Sequence, residues 1–221
     1  MSSLCNNFFM LVLASASPRR RDLLAQGGCA FEVVSADVPE DVRPGERPIG
    51  YVLRLAREKA EAVAASPEFA SLRGRRDEPV LILGADTTVV APNGEILGKP
   101  NDDVDAARML RLLGGATHKV ITGVAIVAPT EKDTITEVAA EVTWVTMRTP
   151  TDDELAEYIA TGEPQGKAGA YAIQGRAARW IPRIQGCYFN VVGLPLALVA
   201  TMIEGVEQRL RAGVAPQLVV P

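Results

Sequence analysis

An apolar run, "FFMLVLA" (8–14), leads into Ser15, Ser17 and Pro18 and then into Arg19, Arg20 and Arg21 at what reads as a helix start. A helix N-terminus carries unpaired N–H groups and partial positive charge, so arginines there oppose the dipole. The conflict resolves if an anion sits at that point, shared by amides and guanidinium groups. A solvated basic turn pairing with Asp22 is the plainer reading. Lys59, in "RLAREKAEAV", falls on the apolar stripe with Val52, Leu55 and Ala56. A lysine so placed either snorkels to the surface or points its ammonium into a cleft. "VLILGADTTVV" is a continuous apolar run that reaches Asp86 and Thr87. Ligands of α/β proteins collect at the carboxyl ends of such strands. A carboxylate there can bind Mg²⁺, act as a general base or simply cap a turn. Glu40, in the loop "DVPED", offers a second carboxylate for a metal, and Lys99, in "EILGKP", a further cation. Gln174, in "GKAGAYAIQG", carries both a donor and an acceptor and can read a base edge. Together, Arg19, Arg20, Lys59 and Lys99 with Glu40 and Asp86 suit metal-assisted attack of water on a phosphate group.

Other chemistries lack their residues. The single histidine, His118, stands at a strand start and reads as a satisfied structural residue; multi-His metal sites are excluded. Cys5, Cys29 and Cys187 form no CxxC pair, and their odd number fits a reducing compartment better than a disulfide framework. "GEILGKP" and "GEPQGKA" both miss the Walker A pattern, because the first glycine is one residue too close and neither Ser nor Thr follows the lysine.

These side chains need elements to hold them. The run through Ala14 reads as a buried strand, followed by a short helix that Gly27 and Gly28 stop. "CAFEVVSA" is a second strand, and a helix is expected over about 48–65. Residues 66–78 read as a polar, basic and flexible connection. A hairpin turning at Pro92-Asn93-Gly94, a helix over 102–113 and two long strands follow, the second with Val138, Ala140, Val142 and Trp144 on its half-buried face. Thr151 and Glu154 form a capping box, "AGAYAIQG" reads as strand and turn, and Pro195 opens a last helix to about Arg211. Helical crossovers mixed with hairpins predict an α/β fold around a mixed sheet.

The chain has 221 residues, 48% of them hydrophobic, enough for a core that buries roughly 70% of the unfolded surface. The apolar start lacks the preceding basic residues of a signal peptide and is too short to span a bilayer, so a membrane protein is not expected. A net charge of −4 and 5% aromatic residues argue against a nucleic-acid partner. Residues 43–76 are locally basic, with eight Lys/Arg against four Glu, which suits a small polyanion better than a polymer.

"LASASPRRRDLL", "RLAREKA", "GADTTVV", "GKP", "TGV", "GKAGAYAIQG" and "GCYFNVVGLP" run in order from about residue 11 to 200, and this series resembles the Maf family. The resemblance implies a single domain over 1–221, its core at about 8–212, with two lobes around a central cleft. It implies an elongated, twisted mixed sheet flanked by helices, similar to the inosine triphosphate pyrophosphatase fold. The implied activity is hydrolysis of nucleoside triphosphates to the monophosphate and pyrophosphate by a cytoplasmic homodimer using Mg²⁺ or Mn²⁺. In that frame Asp86 would be the general base and Glu40 would assist it with the metal, although "DVPE" departs from the more usual "VDE". Ser15, Ser17, Arg20, Lys59 and Lys99 would hold the triphosphate. Arg19, Thr87 and Gln174 resemble the subtype that prefers dTTP and UTP, with modified pyrimidine triphosphates as a further class. The alternative is a nucleotide-binding regulator of septum formation without turnover.

Overall fold

The computed structural model describes residues 8–75, 78–131 and 133–213. The strands are β1 (Met10–Leu13), β2 (Phe31–Val33), β3 (Val80–Val90), β4 (Ile96–Leu97), β5 (Thr117–Pro129), β6 (Thr134–Thr146) and β7 (Arg183–Gln185). They hydrogen-bond in the order β2-β1-β3-β5-β6-β7, with β4 on β3. β1 is parallel to β2 and β3, whereas β4 and β7 run antiparallel to their neighbours, so the sheet is mixed, as expected. The chain divides into two compact units: Met1–Asp86, Gly123–Ala140 and Leu194–Pro221 form the first, and Thr87–Thr122 with Glu141–Gly193 the second.

In the first unit, β1 feeds α1 (Pro18–Gln26), which has proline in its first turn and Gly27 after its end. Helix α2 (Pro48–Ala64) buries Val52, Leu55, Ala56, Ala60 and Val63, the stripe its spacing predicts. Ala56, Ala60 and Val63 pack with Val12 of β1, Ile82 of β3 and Ala125 of β5. Two glycines let the helix backbone approach the sheet. A Cβ at Gly84 would lie 2.1 Å from the Ala56 carbonyl oxygen, and one at Gly123 would lie 2.3 Å from that of Val52. The expectation of a flexible connection over 66–78 is corrected. Ser66 caps α3 (Pro67–Arg73) by accepting from the Phe69 amide at 3.1 Å, and Phe69 is buried. Residues 76 and 77 lie outside the described residues. The final helix (Leu196–Ala212) buries Val199, Met202, Ile203 and Val206. Among the described residues, no helix is long and apolar enough to cross a membrane.

The second unit has its own core, with Leu97, Leu110, Leu113, Val145, Tyr158 and Trp180. Asp102 caps α4 (Asp103–Leu113), and the Thr151–Glu154 box opens α5 (Asp152–Ala160). β6 turns the other way from the expectation. Ile135, Thr143 and Val145 are buried, whereas Val138 and Trp144 are exposed. Both parities of β6 are rich in apolar residues, and the polar Thr143 is buried because its hydroxyl has partners. It donates to the Cys187 carbonyl and accepts from the Cys187 amide and from Asn190 Nδ2. Cys187 is a free thiol, but Cys29 is disulfide-bonded, against the expectation that the cysteines fit a reducing compartment better than a disulfide framework.

His118 is buried against Tyr171, with Nε2 2.8 Å from the Tyr171 hydroxyl and Nδ1 without a hydrogen-bond partner among the described residues. Burial pushes its pKa down from 6.5 to about 4. The unfolded chain therefore binds more protons below pH 6.5, and stability falls as the pH drops from 6.5 to about 4. That loss amounts to about 3 kcal/mol. The unfolding free-energy gap between the wild type and His118→Gln should narrow by about this much over the same window. A gap that stays constant in denaturant titrations across the window would refute the assignment.

Candidate active site

The end of β1, the start of α1, the loop after β2, the middle of α2 and the middle of β3, which runs on past Asp86 to Val90 rather than ending there as expected, converge in the first unit. Ser15 is buried at the end of β1, where its hydroxyl accepts from the Ser17 amide and from Arg20 Nη1, each at 3.2 Å. Ser17 contributes that amide, but its side chain makes no cap bond to the helix. Desolvation lowers the pKa of the Arg20 guanidinium; the charges of Asp86 and Glu40 oppose it, and that of Arg19 adds to it. Arg19 is partly buried beside it, its pKa lowered by the same cause.

Lys59 does not snorkel. Its ammonium donates to Asp86 Oδ1 at 2.7 Å and to Glu40 Oε1 at 2.6 Å, and only 13% of its side chain is exposed. Asp86 is buried at 7% exposure, while the Glu40 side chain is more open at 39%. The helix stripe thus delivers a cation inward, and two carboxylates from distant parts of the sequence meet it. Geometry brings five of the expected residues together: Ser15, Arg20, Glu40, Lys59 and Asp86.

Further residues hold Glu40 in place, and the sequence reading missed them. The Tyr51 hydroxyl donates to the Glu40 carbonyl at 2.9 Å. Burial, and then the charges of Asp86 and Glu40, push the Tyr51 pKa up to about 12, so it remains a donor. Arg54 grips Glu46 with Nε at 2.6 Å and Nη2 at 2.7 Å, and Nη2 also reaches the Asp41 carbonyl at 3.1 Å. The bidentate grip holds the Glu46 carboxyl at about 2, well below its usual range. Tyr51 and Arg54 lie one turn apart on α2, a spacing visible in the sequence, but their loop partners are not.

The other expected residues, Thr87, Lys99 and Gln174, lie in the second unit. The Thr87 hydroxyl is 2.9 Å from that of Thr122, which in turn donates to the Asn190 carbonyl at 3.2 Å. Lys99 and Gln174 are exposed. The segment around Gln174 is not a strand. Gly169 and Ala170 both have left-handed backbones, with φ of 68° and 60°, and Ala168–Ala170 forms a single 3₁₀ turn. A Cβ at Gly169 would lie 2.8 Å from Val89 Cγ2, and its amide donates to the Gly98 carbonyl at 3.0 Å, beside Lys99.

Asp86 and Glu40 supply hard oxygen donors that already converge on one cation, Lys59. Mg²⁺ is commonly held by one or two carboxylates together with substrate phosphates, so this pair fits such an ion. Among the described residues, no group of three or more His, Cys, Asp or Glu is placed to hold a metal by itself.

A family model described as a Maf-like protein matches residues 10–206. A dTTP/UTP pyrophosphatase of Koribacter versatilis is 48% identical over 204 residues, which is 92% of this chain and 95% of that protein. One of Geobacter sulfurreducens is 51% identical over 189 residues, covering 86% and 92% respectively. A solved dITP/XTP pyrophosphatase from Mycobacterium abscessus is 14% identical with a TM-score of 0.37, over 69% of this chain and 95% of that one.

Proposed function

The chain belongs to the Maf family, and from that premise we propose that it hydrolyses nucleoside triphosphates, dTTP and UTP foremost, to the monophosphate and pyrophosphate. The observation that carries the reading is Lys59, bridging Asp86 and Glu40 beside the Ser15–Arg20 pair. Acid and cation stand together there, as attack by water on a phosphate requires.

Asp86 serves as the general base. With Oδ1 held by Lys59, its Oδ2 takes the proton of a water whose oxygen attacks the α-phosphorus. The bond from the α-phosphorus to the bridging oxygen breaks, and pyrophosphate leaves with that oxygen. Arg20, Lys59 and Ser15 hold the phosphate oxygens as charge builds, with Lys99 and the Ser17 amide adding to the triphosphate hold. Glu40 and Asp86 would hold Mg²⁺ or Mn²⁺, which supplies charge neutralisation at the phosphates. Arg19, Thr87 and Gln174 are the residues assigned to the base, and Gln174 suits a pyrimidine edge because its amide can donate and accept at once. With this reading go a cytoplasmic homodimer and modified pyrimidine triphosphates as a further substrate class.

A panel of NTPs, dNTPs and 7-methyl-GTP with Mg²⁺ or Mn²⁺, assayed for pyrophosphate against orthophosphate, tests the proposal. The expected result is pyrophosphate release strongest with dTTP and UTP. Release strongest with another base would keep the reaction and discard the specificity residues. Nucleotide binding without release under either metal would put a regulatory role in place of catalysis.

A further inference from the structure

The turn that carries Gln174 is fastened by one carboxylate that the proposed mechanism does not use. Glu163 lies just beyond α5. Its Oε1 accepts from the Tyr158 hydroxyl at 3.0 Å, and its Oε2 accepts from the Arg176 amide at 3.1 Å. The Tyr158 oxygen also accepts from the Ala172 amide at 3.3 Å. Ala172 and Arg176 stand two residues to either side of Gln174, and the Gly175 amide closes the turn on the Ala172 carbonyl at 3.1 Å.

Gly175 shows how closely the carboxylate is seated. Its φ of −105° is open to any residue, but a Cβ there would lie 1.9 Å from Glu163 Oε1. A Cβ at this position and the Glu163 carboxylate cannot keep the same place, so an alanine there displaces the carboxylate. The anchor is rigid. Tyr158 is fully buried and stacks edge-to-face on Trp180 with centroids 5.0 Å apart. Burial, and then Glu163, push the pKa of its hydroxyl up, so it remains a donor. At the other end of the turn the Tyr171 hydroxyl is held by His118. Among the described residues, Ala170 is the one non-glycine residue with positive φ. Such a conformation persists where the surroundings over-determine it.

We propose that Glu163 is a positioning residue for base discrimination: through Tyr158 and the Arg176 amide it sets the 172–176 turn, and so the direction of the Gln174 amide. This inference rests on the reading of Gln174 as a base-recognising group. A plain structural strut would lower thermal stability and slow every substrate alike. A positioning residue instead raises KM for the preferred bases and flattens the substrate ranking.

Steady-state kcat and KM for dTTP, UTP, dCTP and dGTP, with thermal unfolding alongside, test it in Glu163→Ala, Gly175→Ala, Gln174→Ala and the Glu163→Ala/Gln174→Ala pair. Glu163→Ala and Gly175→Ala should each lower kcat/KM for dTTP about tenfold, through KM, with kcat kept within about threefold. The double variant should be no worse than Gln174→Ala, because both substitutions remove the same discrimination. If Glu163→Ala lowers kcat equally for all four nucleotides, or adds its full factor on the Gln174→Ala background, Glu163 is a strut and the proposal falls. If Gln174→Ala leaves the ranking unchanged, the base reading itself fails and takes this inference with it. Should Glu163→Ala not fold, Glu163→Gln carries the test. It keeps an acceptor for Tyr158 but sets an amide donor against the Arg176 N–H, so a smaller KM shift in the same direction is expected, and its absence overturns the proposal.

Discussion

Asp86→Asn should lower kcat for dTTP by about a hundredfold or more, with KM changed by no more than about threefold. The amide keeps the shape of the side chain but cannot take a proton from water. Nucleotide binding should survive, because the substitution removes one negative charge from a pocket that receives a polyanion. Lys59 keeps its bond to Glu40 at 2.6 Å, so the cation stays in the site. Some stability is lost, since desolvated Arg20 is left with one opposing carboxylate fewer, and the melting temperature measures that part separately. Glu40→Gln should cost less in kcat than Asp86→Asn, because the Glu40 side chain is about 39% exposed and water can replace part of its role. A variant at Asp86 that retained more than a tenth of the wild-type kcat would reject Asp86 as the base and move that role to Glu40.

The residues that meet in this site were legible one at a time, and for different physical reasons. Ser15 and Arg20 lie where an apolar run changes to a charged helix start, so local pattern alone marks them. Lys59 stands out because it shares the stripe of Val52, Leu55 and Ala56, all buried. What the stripe does not contain is the identity of its partners, Glu40 and Asp86, 19 and 27 residues away. Long-range contact of this kind is decided by sheet order and by the path of the loop after β2. That path depends on Tyr51 and Arg54 donating to the carbonyls of Glu40 and Asp41 and to the carboxylate of Glu46, groups whose positions have no sequence period. The same limit explains the two larger misreadings. β6 presents apolar residues at both parities, so alternation could not choose its buried face, and the hydroxyl partners of Thr143 decided it. The small residues of 168–175 fit a kinked strand equally well as a tight turn. The left-handed Gly169 and Ala170, packed against Val89 and Gly98, selected the turn.

Gly84→Ala should destabilise the protein by about 3 kcal/mol, at the upper end of what overpacking usually costs, and should impair catalysis in whatever fraction still folds. A Cβ at Gly84 would sit 2.1 Å from the Ala56 carbonyl oxygen and 3.0 Å from the Ala60 Cβ. The first obstacle is backbone, so no side-chain rotamer can relieve it, and α2 must lift away from β3. Lifting the helix opens the layer that Ala56, Ala60 and Val63 form with Val12 and Ile82, which are themselves almost wholly buried. It also moves Lys59, which shares that helix, away from Asp86, two residues beyond Gly84 on β3. The Lys59–Asp86 bond of 2.7 Å has little room to stretch before the ammonium is lost to the site. Loss of stability and loss of kcat should therefore appear together. Gly123→Ala provides the comparison, because its Cβ would meet the same helix at the Val52 carbonyl, at 2.3 Å, about two turns from Lys59. It should cost a similar amount of stability but less kcat per unit of folded protein. Equilibrium unfolding in urea and dTTP turnover normalised to folded enzyme decide the matter. A Gly84→Ala variant with unchanged unfolding midpoint and turnover would show that close packing of α2 on β3 does not position the catalytic lysine.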